Sequence, residues 1–366
     1  MRANQIVSCA ITGLLISWSV ASGAEWGLKE GKPEIKSAGT LTFGPDGILF
    51  VGDAKTATVF ALGTGDTVGR PSEVKINVSG LNAKVAELLG VDAGKIVIND
   101  LAVNPLSGNA YLAVSKGGAP AIVRVSSDSK LSEVGLTKIP FQKVELPNAP
   151  EDKEVTRNGR TSNPRGDSIT DIAYAEGKVF VSGVASGASP SNVREIPFPF
   201  SESSAGSSVE IYHAAHGKVE DYATIRTFVP INIDGEASLL AGFVCTPLVK
   251  FPVNSLKPGE KTRGTTVAEL GNRNRPLDMI VYKKDGKDFL LLSNNARGVM
   301  KISTEGIAKN AGLTEPVRGG GAAGQSYETI KELEGVVQLD RLNNEQALII
   351  VQSSSGAQDL KTIPLP

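Results

Sequence analysis

Apolar and polar residues alternate along this chain in short runs that stop on turn residues, and the runs recur in one order. Leu41-Thr42-Phe43 leads into Pro45-Asp46-Gly47, Ile48-Leu49-Phe50-Val51 returns, and Thr58-Val59-Phe60-Ala61-Leu62 adds a third run. Period-two alternation across a Pro-Asp-Gly turn predicts a hairpin, so the unit is strand, tight turn, strand, loop, strand. The same order returns at 100–125, at 171–196, in a degenerate copy at 237–251, at 278–302 and at 336–363. Six copies share the chain at about 57 residues each, and three or four antiparallel strands at that period predict an all-β fold, the β-propeller. Six blades fit best, and seven are compatible. Two β-sandwiches would also give short strands, but one strand order recurs and no linker divides the chain.

Insertions interrupt this grammar. Residues 82–89 put Val85, Leu88 and Leu89 on one face and end at Gly90, which predicts a short capped helix. Residues 147–167 are charged and rich in Pro and Asn, and predict a surface loop. Residues 304–333 predict one helical turn near 307–311, then a glycine-rich loop at 319–324. That run lacks the Lys-Ser/Thr ending that would seat a phosphate and its magnesium.

On these blades the chain resembles exported bacterial six- or seven-bladed propellers, a broad group that includes calcium-dependent lactonases, quinoprotein dehydrogenases and pure binding modules. The resemblance spans nearly the whole chain after residue 24 and implies a fold, not a chemistry. The tryptophan-bearing repeats of the quinoprotein enzymes are missing, since the two tryptophans are Trp18 and Trp26.

Charge and composition narrow the partners. With 38 basic and 39 acidic residues the net charge is −1, so no global field draws the chain onto nucleic acid or an anionic membrane. Arg2, the apolar stretch 11–21 and the exit Ser22-Gly23-Ala24 form the three-part pattern of an export signal. Cleavage is expected after Ala24, leaving 25–366 as one propeller domain in the periplasm or outside the cell. Every later apolar run is broken well short of the roughly 20 residues a span requires. Cys9 falls in the signal, so Cys245 remains without a disulfide partner.

Three groups of residues could carry chemistry. Asp100, Asp171 and Asp278 share one position ahead of the first strand of their units, with Asn99 beside Asp100, so a ring would bring them together in its channel. Converging carboxylates need a cation, and calcium accepts such oxygens; alternatively, each aspartate caps its own backbone turn. Arg165, Arg273 and Arg275 precede these positions and would either pair with the acids or receive an anionic ligand. His213 and His216 are the whole histidine supply and flank a hairpin turn. They could begin a zinc or copper site with Glu210, Glu220 or Cys245, the thiol being relevant if it lies near them.

Three functions remain open. The first is a module that binds a small molecule or protein through one loop-rich face. The second is a metal-assisted hydrolase or lactonase with a cation in the channel. The third is a redox protein with a metal at His213 and His216. Whether the protein is an enzyme is not written in the sequence, and no cofactor is dictated by it.

Overall fold

The predicted repeats fold as six twisted antiparallel sheets set around a channel, a six-bladed β-propeller in the computed structural model, which describes residues 26–157 and 160–366. The expected export signal, its cleavage site and Cys9 lie outside the described residues. Blade 1 comprises Thr40–Phe43, Ile48–Asp53 and Thr58–Gly63. Blade 2 comprises Ile96–Val103, Ala110–Lys116 and Ala119–Val125, and blade 3 Asp171–Ala175, Lys178–Val184, Ser191–Pro197 and Ser207–His213. Blade 4 is built from Ile225–Ile233, Glu236–Phe243, Pro247–Pro252 and Thr265–Leu270. Blade 5 holds Pro276–Lys284, Lys287–Asn294, Gly298–Ser303 and Tyr327–Ile330, and blade 6 holds Val336–Arg341, Gln346–Gln352 and Gln358–Pro364. In each blade the first strand lines the channel.

Each strand presents one apolar face to each neighbouring blade, so the core divides into six clusters, one per blade interface. Blades 3 and 4 share Phe180, Val209, Phe243 and Phe251, and blades 5 and 6 share Tyr282, Leu291 and Ile349. The other clusters join blade 4 to 5, blade 2 to 6, blade 1 to 3 and blade 1 to 2. The spatial order around the ring is therefore 2-1-3-4-5-6, and blade 1 sits between blades 2 and 3. The chain reaches this order by weaving. After blade 1 it lends Asn77–Val78 to the outer edge of blade 6, forms the helix Leu81–Leu89 and builds blade 2. It then returns as Ile139–Glu145 to the outer edge of blade 1, where Lys29–Gly31 adds a further strand.

Several local expectations hold, and some change. The helix at 81–89 ends on left-handed Gly90, whose N–H caps the Ala86 and Glu87 carbonyls. Blade 4 is complete rather than degenerate: its inner strand, with Pro230 in the middle and no leading aspartate, hides the repeat in sequence. The stretch 147–167 carries a two-stranded ribbon, Val155–Arg157 with Arg160–Ser162, and a 3-10 turn at Pro164–Asp167. The glycine-rich run contributes Ala322–Gly324 to the edge of blade 4. Among the described residues, no helix is long and apolar enough to cross a membrane.

Candidate metal centre and channel mouth

Four inner strands carry a β-bulge at one level, where the register shifts past Asn99, Arg226, Leu277 and Val337. The residues just below align around the ring as Asp100, Thr40, Asp171, Thr227, Asp278 and Gln338, so acids and neutral oxygens alternate. Each aspartate uses one oxygen for the N–H of the next residue: Leu101 to Asp100 (2.9 Å), Ile172 to Asp171 (2.8 Å) and Met279 to Asp278 (2.7 Å). The other oxygen accepts from the next blade: Leu41 N–H to Asp100 (2.6 Å), Phe228 N–H to Asp171 (2.8 Å) and Leu339 N–H to Asp278 (2.8 Å). Asp340, two residues lower on blade 6, does the same with Arg341 and Val103.

The three aspartates singled out from sequence thus meet in the channel, joined by a fourth, and each fastens two blades through backbone hydrogen bonds. The cavity along this part of the channel measures about 280 Å³. Burial pushes the Asp171 carboxyl up to about 7 and that of Asp340 up to about 6. Asp100 and Asp278 are raised well above the ordinary value by burial and then by the neighbouring carboxylates, Asp171 acting on Asp100 and Asp100 on Asp278. Of the three neutral positions of the ring, Oγ1 of Thr40 and Oε1 of Gln338 are buried without a hydrogen-bond partner, while the Thr227 hydroxyl lies near enough to Asp171 to favour its ionised form.

Above this ring the channel opens into a cavity of about 480 Å³ lined by Asn99, Arg226, Arg275, Lys55 and Asp167. The bulges place Asn99 and Arg226 there. Arg226 pairs with Asp167 at 2.7 Å, while burial and then Arg226 depress the Arg275 guanidinium. Of the three arginines proposed from sequence, Arg275 lines the mouth. Arg165 lies on the adjoining 3-10 turn with its Nε buried and unpartnered, and Arg273 faces a different cavity. Arg226 was missed because the strand that carries it was not recognised.

The same face of the ring holds a third constellation. Ser207–His213 and the short strand Lys218–Glu220 form a hairpin on the outer side of blade 3, so both histidines sit at its turn, as expected. Glu220 bridges them: its Oε2 meets His213 Nδ1 at 2.8 Å, and its Oε1 meets His216 Nδ1 at 2.7 Å and Tyr222 OH at 3.0 Å. Burial alone would raise this carboxyl, but the hydrogen bonds from His213 and His216 outweigh it and hold the group down at about 2. An ionised carboxylate only accepts, so both Nδ1 atoms carry protons, and in the neutral imidazoles the Nε2 atoms are then the ones that present lone pairs. His213 is 2% exposed, and its Nε2 has no partner.

Cys245 reaches this pair from blade 4. One ring nitrogen of each histidine and the Cys245 sulfur lie within 4.8 Å of one another, the one such trio of ligand-type side chains among the described residues. The thiol stands on a strained turn, with Cys245 at φ +64° and Thr246 at φ +53°. Consecutive left-handed non-glycine residues cost about 1–3 kcal/mol each. The turn is held by Cys245 N–H to Asn274 O (2.9 Å), Thr246 N–H to Phe243 O (2.9 Å) and Thr246 Oγ1 to Gly271 O (2.7 Å). Beneath the histidines, Glu269 is fully buried. Its Oε1 accepts the Ala215 N–H at 3.1 Å, its Oε2 is unpartnered, and burial raises its pKa. Glu210, the other acid considered as a ligand, points to Arg263 at 3.7 Å.

The fold and these clusters define the class: a six-bladed β-propeller with a candidate metal centre and a cationic channel mouth on one face. No protein-family model matches the chain, and no curated protein matches it in sequence. Solved structures align with the chain at low identity and low TM-score. Kuenenia stuttgartiensis hydrazine synthase aligns at 11% identity and a TM-score of 0.42, over 91% of this chain and 97% of that one. Drosophila Semaphorin 1b, extracellular domains 1–2, aligns at 9% and 0.41, over 93% and 87%. The PQQ-bound aldose sugar dehydrogenase of Streptomyces coelicolor aligns at 12% and 0.36, over 92% and 98%. These similarities concern the ring architecture.

Proposed function

We propose that this protein is an exported ligand-binding propeller that carries a transition metal at His213, His216 and Cys245. The observation that carries the reading is the trio of donor atoms within 4.8 Å, with both Nδ1 atoms turned away onto one buried carboxylate. Zinc binds sulfur at about 2.3 Å and imidazole nitrogen at about 2.0–2.1 Å, so at tetrahedral angles its ligand atoms lie about 3.3–3.6 Å apart, and side chains already within 4.8 Å need close by only about 1 Å. Carboxylates that fix the tautomer of ligating histidines are the usual second layer of such sites. Two imidazoles and one thiolate suit zinc or copper rather than calcium, and three protein ligands leave a position for water or a bound molecule. Zinc there would polarise an oxygen of that molecule; copper would pass electrons. The apolar run at 11–21 and the small-residue exit at 22–24 support export.

Elemental analysis of untagged protein tests the reading. One zinc or copper per chain is expected, lost in Cys245→Ser and in His213→Ala. Intense visible absorption on copper loading would mark copper–thiolate bonding, and a cobalt–thiolate band on cobalt substitution would mark the zinc type. Absence of stoichiometric metal, together with no uptake of zinc, copper or cobalt on titration, would remove the proposal.

The unpartnered oxygens of Thr40 and Gln338 favour a second reading, in which a calcium ion sits among the channel carboxylates, with Asn99 above, and serves a hydrolase. A calcium-dependent rise in melting temperature that disappears in Asp278→Asn is the expected sign. Equal melting with calcium and with chelator would end it.

A further inference from the structure

His216, the exposed member of the candidate metal centre, lies with Ala215 and Gly217 on one wall of a cavity of about 690 Å³. Its other walls come from the strap between blades 4 and 5, with Asn272 and Arg273, and from the segment 316–320, with Arg318, Gly319 and Gly320. No carboxylate lines it, and among the described residues neither arginine takes part in an ion pair. Both arginines are exposed, and their guanidiniums give this space a positive charge with no acid lining it.

The cavity walls are fixed by backbone contacts. Val317 N–H donates to Ala214 O at 2.9 Å, tying the 316–320 segment to the histidine turn. Gly320 lies so near Asn272 that an added Cβ would stand 2.5 Å from its Oδ1. Arg297 Nη2 donates to Asn272 O at 3.2 Å, and Arg273 is held at φ +59°. The carbonyl of the next residue, Asn274, receives the N–H of Cys245, so one strap anchors the thiol's turn and carries the Arg273 backbone. His216, 44% exposed, looks into the same space.

We infer that this cavity receives a small molecule bearing a carboxylate or phosphate group, which Arg273 and Arg318 hold while one of its oxygens takes the open position beside His216. The part concerning the open position rests on the metal reading above; the part concerning the arginines does not. A guanidinium matches the planar oxygens of either group, and the carboxylate-free wall disfavours amines and bare cations.

Calorimetric titration with inorganic phosphate and with succinate tests this, using the full chain loaded with its metal. Binding of at least one probe is expected, and the stronger probe identifies the group. Arg273→Ala combined with Arg318→Ala is expected to weaken it tenfold or more, since charge-assisted hydrogen bonds are lost, with metal content unchanged. Metal-free Cys245→Ser is expected to keep a weaker, arginine-dependent affinity. No binding of either probe at 10 mM in wild type, used here as about the weakest useful limit, or binding indifferent to the double substitution, overturns the inference. Wild type that takes up no zinc, copper or cobalt yet binds phosphate or succinate through the two arginines would overturn the metal reading and leave the arginine site standing.

Discussion

Lowering the pH from 8 to 5 is expected to stabilise the propeller, and the channel aspartates supply the effect. Asp171 sits at about 7 and Asp340 at about 6 in the fold, against an ordinary 3.8, with burial as the cause of both shifts. A raised carboxyl holds its proton in the folded state at pH values where the unfolded chain has released it. Its stabilisation is therefore complete below the ordinary value, falls as pH rises through the folded value and is gone above it. Each unit is about 1.4 kcal/mol. Between pH 5 and 8, Asp171 acts over about two units and Asp340 over about one, for about 4 kcal/mol before screening by channel water, and about 2–4 kcal/mol after it. Asp100 and Asp278, raised in the same direction, add to this. Urea unfolding at pH 5, 6, 7 and 8 measures the slope, and Asp171→Asn isolates one share of it. At pH 5 the asparagine variant should be less stable than wild type by about 1–3 kcal/mol, because its amide nitrogen replaces an oxygen that accepts a buried N–H. The gap should close toward pH 8, where wild type must hold the bare charge. A stability that is flat or rises from pH 5 to 8, or a gap that stays constant, would refute the reasoning.

Three further outcomes follow from the geometry. Without metal, Cys245→Gly should be more stable than Cys245→Ala by about 1 kcal/mol, the reverse of the usual order, because only glycine relaxes at φ +64°; melting temperatures check it. Glu220→Gln should weaken metal binding by about 10- to 100-fold in a chelator competition while leaving the thiol in place, since one of its two acceptor oxygens becomes a donor facing an Nδ1–H. Val78→Asp should cost more than about 4 kcal/mol, because it buries an unpaired charge between blades 2 and 6 on the strand that pairs with Leu360; hydrogen exchange at the blade 6 edge should rise with it.

Blade count was legible in sequence because hairpins are local: alternation and a turn of the Asp-Gly kind lie within a dozen residues. The order of blades was not, because it depends on strand pairs far apart in the chain, 58–62 with 141–145 and 77–78 with 360–361. The apolar face of Ile139–Glu145 does not announce which edge it will join. The aspartate positions could be aligned from sequence, since each precedes a recognisable strand, and their meeting in the channel follows from the ring. Their hydrogen-bonding role across blades needed the register. His213 and His216 were visible as a pair, and Cys245 was tied to them only by a condition of proximity. Blade 4 had to be placed beside blade 3 before that condition was met.

Strain is distributed unevenly over the two faces, and this bears on where function lies. Turns that join first and second strands pass through Asp46-Gly47, Glu176-Gly177, Asp234-Gly235 and Asp285-Gly286, pairs in which left-handed backbone is shared with a glycine and in three of the four the partner is aspartate. At the opposite ends of the strands, where the channel mouth opens, the left-handed residues include Cys245, Thr246 and Arg273, none of which gains from that conformation. Glycine would fit all three positions at less cost. What the chain obtains instead is a thiol set against two imidazoles, and an arginine on the cavity that His216 lines, joined through the Asn274 carbonyl. The candidate metal centre therefore stands on turns whose backbone is held in place by the surrounding hydrogen bonds rather than by the preferences of its own residues.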